Sequence, residues 1–341
     1  MKITVLAGGY SPERDVSLTS GSLIANALID KGNLVCLADA FMGIDASAED
    51  LFKSEKYPEY KVPTRVPDLE ALMKQRGGNS LIGDGIIEAC RQADVVFLAL
   101  HGAMGENGQI QATLDNFGIK YTGSGYVGSL LAMDKDISKK IFREAGVNTP
   151  DWIYATPDDC SIEYVKQKIG FPCVIKPTSC GSSVGISIVE SEDGYMQAMK
   201  YAEKYEKNVI IEKKICGREL TVGILDGEVL PVIEIIPLSG FYDYENKYQS
   251  GKTLEVCPAQ IDEGLLEKLH EQTKLGFSAL RLSGYARFDF MVDESGTPWC
   301  LEANTLPGMT PTSLLPQMAA ERGMDYGELC MKIVRTALGR C

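Results

Sequence analysis

One late stretch of the chain, 285–310, places four polar side chains in an otherwise apolar segment. The residues alternate along its first half, so Arg287 and Asp289 are predicted to share one face of a strand. A polar turn leads to a return strand, on which Glu302 and Asn304 share a face. Isolated charge is costly on a core strand, so we expect the two polar faces to coincide and to bind a compensating partner.

Magnesium is the partner that this set of side chains favours. Mg²⁺ prefers hard oxygen ligands and often binds one or two carboxylates together with the phosphates of a substrate. The predicted ligands are Asp289, Glu302 and Asn304. The alternative is a surface hairpin with a solvated polar face. The same alternation predicts that Cys300 lies on the polar face beside Glu302.

A second candidate site is the glycine- and serine-rich loop KPTSCGSSVG, residues 176–185, which follows a predicted strand. Its backbone N–H groups can close around an anion, and Lys176 adds positive charge. The loop lacks the GxxxxGK[ST] spacing of a Walker loop. An ordinary turn is the simpler interpretation of the loop taken alone.

Two further stretches have the composition of a nucleotide site. The segment IIEKKI, residues 210–215, ends a strand with charged residues, where an acid and backbone groups can bind the edge of a purine. Charge at a strand end is also commonly just solvated. The tyrosine-rich segment 241–252 is typical of a lid that closes over a ligand, although a disordered surface loop is the alternative.

The first turn of the chain superficially resembles a dinucleotide site. Gly8 and Gly9 follow the first strand and Asp39 follows the second, which raises an NAD-dependent dehydrogenase as an alternative function. The GxGxxG pattern is incomplete. The loop instead carries Glu13 and Arg14 before a helix, which is also compatible with an ordinary capped helix start.

The predicted helices and strands that must position these residues fall into three consecutive parts of the chain. Their order indicates a protein with both α/β and α+β parts. An opening βαβ unit precedes a small α+β part and a third part that contains the late hairpin. The predicted domains are 1–123, 124–216 and 217–341, the last with a loop at 236–252, and residues 40–80 show no period. The predicted helices are 16–31, 84–92, 110–117, 127–145, 160–169, 193–205, 262–280 and 321–338. The predicted strands outside the late hairpin are 3–7, 34–38, 95–100, 151–155, 173–176, 185–189, 208–213, 219–226 and 228–235.

Composition narrows the class of protein. The chain has 341 residues and a net charge of −13, which argues against nucleic acid or an anionic membrane as the main partner. Ten cysteines are present, but none form a CxxC pair, so reduced thiols in a cytoplasmic protein are expected. No apolar run approaches the length of a membrane span, and no signal peptide is predicted.

Taken together, the motifs resemble those of the D-alanine–D-alanine ligases of the ATP-grasp superfamily, in the same order and over nearly the whole chain. The resemblance implies three domains, with ATP bound between two antiparallel sheets. The matching stretches are GGYSPERDVSLTSG (8–21), LHGAMGENG (100–108), YTGSG (121–125), AMDK (132–135), VIKPTSCGSSVG (174–185), IIEKKI (210–215), GRELTV (217–222), FYDYENKY (241–248), RFD (287–289) and LEANTLPGMTPTSL (301–314).

The resemblance assigns the nucleotide and metal ligands. Two Mg²⁺ ions, for which Mn²⁺ can substitute, would bind the three hairpin residues Asp289, Glu302 and Asn304. The residues implied to contact the phosphates are Lys135, Lys176, Ser183 and, from the lid, Lys247. The residues implied to contact adenine and ribose are Glu212, Lys213, Ile215 and Glu219.

It also assigns the amino-acid ligands. Glu13 would bind the ammonium group of the first D-alanine, in a hydrogen-bonded set with Ser182 and Tyr248, and His101 would lie near it. Arg287 and the Gly308 N–H would face the acyl oxygen, while Ser313 and Leu314 would bind the carboxylate of the second D-alanine.

The resemblance implies a reaction that makes D-alanyl-D-alanine for peptidoglycan through an acyl phosphate. Because similar ligases are commonly dimers, it also implies a homodimer. The alternative within the same fold is a D-alanine–D-serine ligase, which would use D-serine as its second substrate. Relatives that use D-lactate carry a histidine where this chain has Lys247 and Tyr248, so D-lactate is disfavoured.

Overall fold

The computed structural model describes residues 1–62, 67–156, 159–181, 184–237 and 253–339, which form three separate β-sheets with flanking helices. The first sheet is parallel, with strand order β2-β1-β3. Its strands are β1 (Lys2–Ala7), β2 (Leu34–Asp39) and β3 (Val95–Leu98). Helix α1 (Arg14–Asp30) connects β1 to β2, which confirms the predicted βαβ unit. The other helices of this part are α2 (Leu69–Arg76), α3 (Ile86–Arg91), α4 (Ala103–Glu106) and α5 (Gln109–Asn116).

The segment without a sequence period is attached to α1 by polar contacts. The backbone of Tyr57 exchanges two hydrogen bonds with the side chain of Asn26, at 2.8 and 3.0 Å. The Tyr60 hydroxyl donates to Asp15 Oδ1 at 2.7 Å. Individual side-chain contacts thus hold the chain around Tyr57 and Tyr60 in place, and such contacts produce no hydrophobic periodicity in the sequence.

The predicted helix 127–145 is in fact two helices, α6 (Tyr126–Met133) and α7 (Lys135–Glu144). Asp134 separates them because its backbone is extended, with ψ 106°, and its side chain accepts the Ile137 N–H at 3.0 Å. Aspartate is a preferred N-cap residue, so the break has a local cause. The break places Lys135 at the first position of α7.

The second sheet is antiparallel, with strand order β4-β7-β5-β6. Its strands lie where the sequence predicts them: β4 (Trp152–Ala155), β5 (Cys173–Pro177), β6 (Ser187–Val189) and β7 (Val209–Lys213). Helices α8 (Ile162–Lys168) and α9 (Tyr195–Glu203) flank it. Val174 pairs with Glu212, so the side chains of Lys176 and Glu212 lie on the same face.

The third sheet is antiparallel, with strand order β10-β9-β8-β11-β12. Its strands are β8 (Arg218–Leu225), β9 (Glu228–Pro237), β10 (Thr253–Val256), β11 (Tyr285–Val292) and β12 (Pro298–Asn304), and α10 (Glu263–Ala279) packs on it. The sequence missed β10 and α11 (Leu314–Glu321), and in the first part of the chain it also missed α2 and α4. The last helix, α12, covers Tyr326–Leu338 and starts at a capping box of Asp325 and Glu328, later than the predicted residue 321.

The late hairpin contains a β-bulge that corrects one prediction. Asp289 pairs with Glu302, but Phe290 pairs with Cys300, so Leu301 is an extra residue in β12. The bulge turns Cys300 to the apolar face, where it is fully buried in a cluster with Phe290. The prediction that Cys300 shares a face with Glu302 is therefore wrong, since a strict alternation does not allow for the extra residue.

The hydrophobic core crosses between the first and third parts of the chain. Ile3 of β1, Leu315 of α11 and Ile333 of α12 belong to one buried apolar cluster. The three sheets fall within 1–123, 124–216 and 217–341, but these domain bounds stay a prediction. The cysteines in the described ranges are free thiols. Within those ranges, no helix has the length and apolar character that crossing a membrane requires.

Candidate active site

A cavity of about 510 Å³ lies where the three parts of the chain meet. Nine of the predicted site residues line it, and they come from all three parts. They are Glu13, His101, Lys135, Arg287, Glu302, Asn304, Gly308, Ser313 and Leu314. This volume is in the range of small-molecule sites.

The polar face of the hairpin lies at the wall of this cavity. Arg287 pairs with Asn304 and Asp289 with Glu302, so the two polar faces coincide as the sequence predicts. The Arg287 guanidinium donates to both oxygens of Asp289, at 2.9 and 2.8 Å. Asp289 is 8% exposed. The face is therefore largely enclosed, in contrast to the solvated surface hairpin considered above.

The donor set of this face fits a magnesium site. In the described ranges, no cluster of three or more His, Cys, Asp or Glu side chains is arranged to bind a metal. The predicted set instead combines two carboxylates, Asp289 and Glu302, with the amide oxygen of Asn304, which is the oxygen chemistry that Mg²⁺ prefers. Thr221 donates to Asp289 Oδ1 at 2.6 Å, and the Leu306 N–H donates to Asn304 Oδ1 at 2.9 Å. These contacts orient the donors from behind.

Lys135 connects the hairpin to the glycine- and serine-rich loop. Its Nζ donates to the Cys180 carbonyl at 2.7 Å and lies 3.6 Å from Glu302 Oε2. The side chain is buried. A buried cation held between a carboxylate and a backbone carbonyl suits contact with a phosphate group.

Lys176 is part of a buried ion network on the second sheet. Its Nζ lies 2.6 Å from Glu212 Oε1, and Nζ of Lys139 lies 3.0 Å from Glu212 Oε2. Burial alone would raise the pKa of Glu212, but the two lysines outweigh it and lower that pKa. Both oxygens of Glu212, predicted to contact adenine or ribose, therefore lie against lysines.

His101 lies beside two carboxylates at the amino-terminal wall of the cavity. Its Nδ1 is 3.8 Å from Glu106 Oε1, and its Nε2 is 3.5 Å from the Ser20 hydroxyl. Burial alone would lower the pKa of His101, but Glu106 and Glu13 raise it above its usual value. The sequence missed Glu106, although it lies within the HGAMGENG motif.

The start of α11 supplies backbone donors at the opposite wall. Ser313 is the N-cap of this helix, and its hydroxyl oxygen accepts the Thr310 N–H at 3.1 Å. The first N–H groups of a helix have no partner within the helix and attract anions. Gly308 packs against Ser313, since a Cβ atom there would lie 3.0 Å from Ser313 Oγ.

Several predicted residues lie away from the cavity lining. Lys213 is exposed, while Ile215 and Glu219 are half-buried. Lys176, Glu212 and Asp289 are buried and do not line the cavity. Four predicted site residues, Ser182, Ser183, Lys247 and Tyr248, lie outside the described residues, as does the predicted lid.

The first βα turn is not arranged as a dinucleotide site. Both oxygens of Asp39 face the Arg14 guanidinium, with Nη1 to Oδ1 at 3.0 Å. Asp39 Oδ1 also accepts the N–H groups of Phe41 and Met42. The carboxylate that a ribose would need is thus engaged in local structure, which removes the basis for the dehydrogenase alternative.

The chain matches known protein families along most of its length. A family model described as "D-ala D-ala ligase N-terminus" matches residues 2–124, and one described as "D-ala D-ala ligase C-terminus" matches residues 141–335. A D-alanine–D-alanine ligase of Pediococcus pentosaceus is 41% identical over 343 residues, which cover 98% of this chain and 97% of the relative. One from Lacticaseibacillus casei is 39% identical over 345 residues, with coverage of 99% and 96%.

A solved structure gives the same result. The D-alanine–D-alanine ligase of Bacillus anthracis, crystallised in complex with ATP, is 32% identical to this chain and superposes with a TM-score of 0.78. The match covers 99% of this chain and 97% of that one. Family models, sequence relatives and a solved structure agree over nearly the full length, so the chain belongs to the D-alanine–D-alanine ligase family.

Proposed function

We propose that this chain uses ATP to join two molecules of D-alanine into D-alanyl-D-alanine, a precursor of peptidoglycan. One observation carries the proposal: a single cavity brings together Glu13, Lys135, Arg287 and Glu302 with the start of α11. These residues come from distant parts of the sequence, and each has the charge that a part of the substrates or the proposed metal requires.

The nucleotide would lie on the side of the second and third sheets. Lys135 and Lys176 would contact its phosphates, together with Ser183 and Lys247. The residues proposed to bind adenine and ribose are Glu212, Lys213, Ile215 and Glu219. A buried lysine between Glu302 and the Cys180 carbonyl supports this placement, because such a site favours a phosphate over a neutral group.

Asp289, Glu302 and Asn304 would hold two Mg²⁺ ions, or Mn²⁺ in their place. When bound, these ions would neutralise the negative charge that develops on the transferring phosphoryl group. The Arg287 guanidinium and the Thr221 hydroxyl fix the orientation of Asp289. The donor set is therefore held in position before a ligand arrives.

In the first step, the carboxylate of one D-alanine attacks the γ-phosphorus, forming an acyl phosphate and releasing ADP. Glu13 would bind the ammonium group of this D-alanine, with Ser182 and Tyr248 in the same hydrogen-bonded set. His101 would lie next to it, beside Glu106, where the two carboxylates of Glu106 and Glu13 raise the pKa of the imidazole. Glu13 and His101 would together favour one orientation of this substrate.

In the second step, the amine of the other D-alanine attacks the acyl carbon, and inorganic phosphate leaves. Ser313 and Leu314 at the start of α11 would bind the carboxylate of this second D-alanine. Arg287 and the Gly308 N–H would stabilise the oxyanion, an effect of roughly 3–4 kcal/mol per donor in comparable sites. Water must be kept out meanwhile, because it would hydrolyse the acyl phosphate.

The setting of the enzyme is part of the proposal. The chain would act in the cytoplasm as a homodimer, with three domains at 1–123, 124–216 and 217–341. The net charge of −13 favours small amino-acid and nucleotide ligands that are bound by local positive charge over nucleic acid.

The decisive experiment measures ADP release with ATP and Mg²⁺ while D-alanine, L-alanine, D-serine and D-lactate are supplied in turn. We expect turnover that depends on D-alanine and a product identified as D-alanyl-D-alanine by mass spectrometry. D-Alanine together with D-serine tests the choice of second substrate. A lack of D-alanine-dependent ADP release would contradict the proposal.

A further inference from the structure

The buried ion network around Glu212 contains a residue that has no role in the reaction described above. Lys139 is fully buried, and its Nζ contacts Glu212 Oε2 at 3.0 Å. The same Nζ donates to the Thr149 hydroxyl at 2.7 Å and lies 5.3 Å from the centre of the Trp152 ring. A lysine is rarely buried so completely without a specific partner.

Lys139 and Lys176 share the carboxylate of Glu212. Glu212 Oε1 lies 2.6 Å from Lys176 Nζ, so each oxygen of Glu212 has one lysine. With both lysines charged, the three side chains together carry one net positive charge. With Lys139 absent, Glu212 would neutralise Lys176, and the network would carry no net charge.

Hydrogen bonds also link Lys139 to β12, the strand of the proposed metal ligands Glu302 and Asn304. The Thr149 hydroxyl that accepts from Lys139 donates in turn to the Cys300 carbonyl at 2.9 Å. Cys300 lies in β12, at the bulge that precedes Glu302. Lys139 therefore contacts Glu212 of the second sheet directly and is linked to Cys300 of the third sheet through the Thr149 hydroxyl. The nucleotide would bind between these two sheets.

We infer that Lys139 is a positioning residue for the nucleotide: it neutralises Glu212, so that the charge of Lys176 stays available to the phosphates of ATP. This inference rests on the proposed function for the presence of a nucleotide. It predicts a role in phosphate affinity for a side chain that never touches the ligand.

The test replaces Lys139 and measures nucleotide binding directly. Calorimetry gives the Kd values of ATP with Mg²⁺ and of adenosine for the wild type and for Lys139→Met. We expect ATP to bind about tenfold to a hundredfold more weakly, the effect of one unit charge lost next to phosphates. Adenosine affinity should change little, because adenosine lacks the groups that Lys176 would contact.

A neighbouring lysine provides the matched control. Lys140 is exposed, and its partner is Asp136, outside the network. Lys140→Met removes the same charge one residue away and should leave the preference for ATP over adenosine unchanged. An equal loss in both variants would overturn the inference, because only the overall charge of the protein would then matter.

A second variant separates charge from packing. In the double variant Lys139→Met/Glu212→Gln, residues 139 and 212 are both neutral. The positive charge of Lys176 is then no longer neutralised by a carboxylate at position 212. The preference for ATP over adenosine should return to the wild-type value, whereas a purely structural role of Lys139 predicts no recovery. If Lys139→Met alone fails to fold, the double variant still decides, since a lasting loss of ATP preference in it contradicts the inference.

The outcomes also distinguish this inference from the proposed function. A wild-type chain that binds no ATP would contradict the proposed function and remove the basis of the inference. A wild-type chain that binds ATP, with Lys139→Met binding it equally well, would refute the role of Lys139 and leave the ligase assignment untouched.

Discussion

Asp289 and Glu302 lie directly opposite each other on β11 and β12, one position before an extra residue interrupts the pairing. The bulge at Leu301 lets Glu302 face the cavity while Cys300 lies in the apolar core on the other side. The hairpin therefore presents carboxylates to one side without exposing its hydrophobic residues to them.

Glu302→Gln should abolish turnover and leave the fold intact. The change keeps the size of the side chain and removes the charge that would bind the metal. We expect activity to fall at least about a hundredfold, as when a comparable transition-state contact is lost. The measurement is steady-state ADP release, with circular dichroism as the test of folding.

Glu294→Gln is the control for that change, because Glu294 is exposed in the turn of the same hairpin. It should retain full activity. EDTA should abolish ADP release by the wild type, and an excess of Mg²⁺ or Mn²⁺ should restore it. Near-normal activity of Glu302→Gln would contradict the metal assignment.

Glu106→Gln should lower the pKa of His101. Glu106 lies 3.8 Å from the imidazole and holds the pKa of His101 above the ordinary value of 6.5. The chain contains two histidines, so NMR can follow both ring signals through a pH titration. His270, whose pKa is lowered chiefly by burial, serves as the internal control and should not move.

The same shift predicts how stability depends on pH. Because the pKa of His101 is higher in the folded than in the unfolded chain, its contribution is fully present below pH 6.5 and disappears as the pH rises through the folded pKa. The stability difference between wild type and Glu106→Gln should therefore shrink at alkaline pH. A difference that grows with pH would contradict this.

Asp39→Asn should destabilise the protein. It leaves the Arg14 guanidinium, whose side chain is 9% exposed, without its counter-charge. We expect a loss of about 3 kcal/mol in the free energy of unfolding, measured with urea, as for other largely buried ion pairs broken on one side.

The matched control is Asp30→Asn. Asp30 pairs with Lys56, but both side chains are more than half exposed, at 56% and 58%. The expected change in the free energy of unfolding is within about 0.5 kcal/mol of zero. Equal effects at the two sites would show that burial does not set the strength of the Arg14–Asp39 pair.

Gly276→Ala should strain the packing behind the hairpin. A Cβ atom at this position of α10 would lie 2.8 Å from the Phe288 ring and 3.2 Å from that of Phe142. We expect the free energy of unfolding to fall by about 1–2 kcal/mol. This net value already includes the gain in helix propensity that alanine brings. Urea unfolding measures it.

Gly264→Ala makes the same substitution near the start of the same helix. There the nearest atom is Asp262 Oδ1, at 3.3 Å, and the position is exposed. Alanine should be neutral or slightly stabilising at this site. If Gly276→Ala proved no worse than Gly264→Ala, the ring packing would not be as tight as the distances indicate.

The sequence predicts the regular parts of this structure well, because buried strands and amphipathic helices leave periodic patterns. It places the βαβ unit, the second sheet and the polar face of the hairpin. It fails where a single side chain decides the backbone. Asp134 divides a helix by capping it, and one extra residue at Leu301 turns Cys300 to the other face.

The candidate site follows the same division. Residues within recognisable motifs, such as Glu13 and Lys135, line the cavity that the structure shows. Lys139 and Glu106 were missed because their roles depend on partners distant in the sequence or on burial, and neither is visible in spacing alone. The contact of Glu212 with adenine or ribose stays a prediction, and the two lysines on its oxygens are a feature that the sequence did not indicate.

The walls of the cavity come from opposite ends of the chain, with Glu13 near the beginning and Leu314 near the end. A growing polypeptide on the ribosome would therefore lack the cavity wall that we propose binds the second D-alanine until the α11 segment had been synthesised. Every shorter nascent chain would lack this wall of the cavity. A chain truncated before α11 should therefore show no ligase activity.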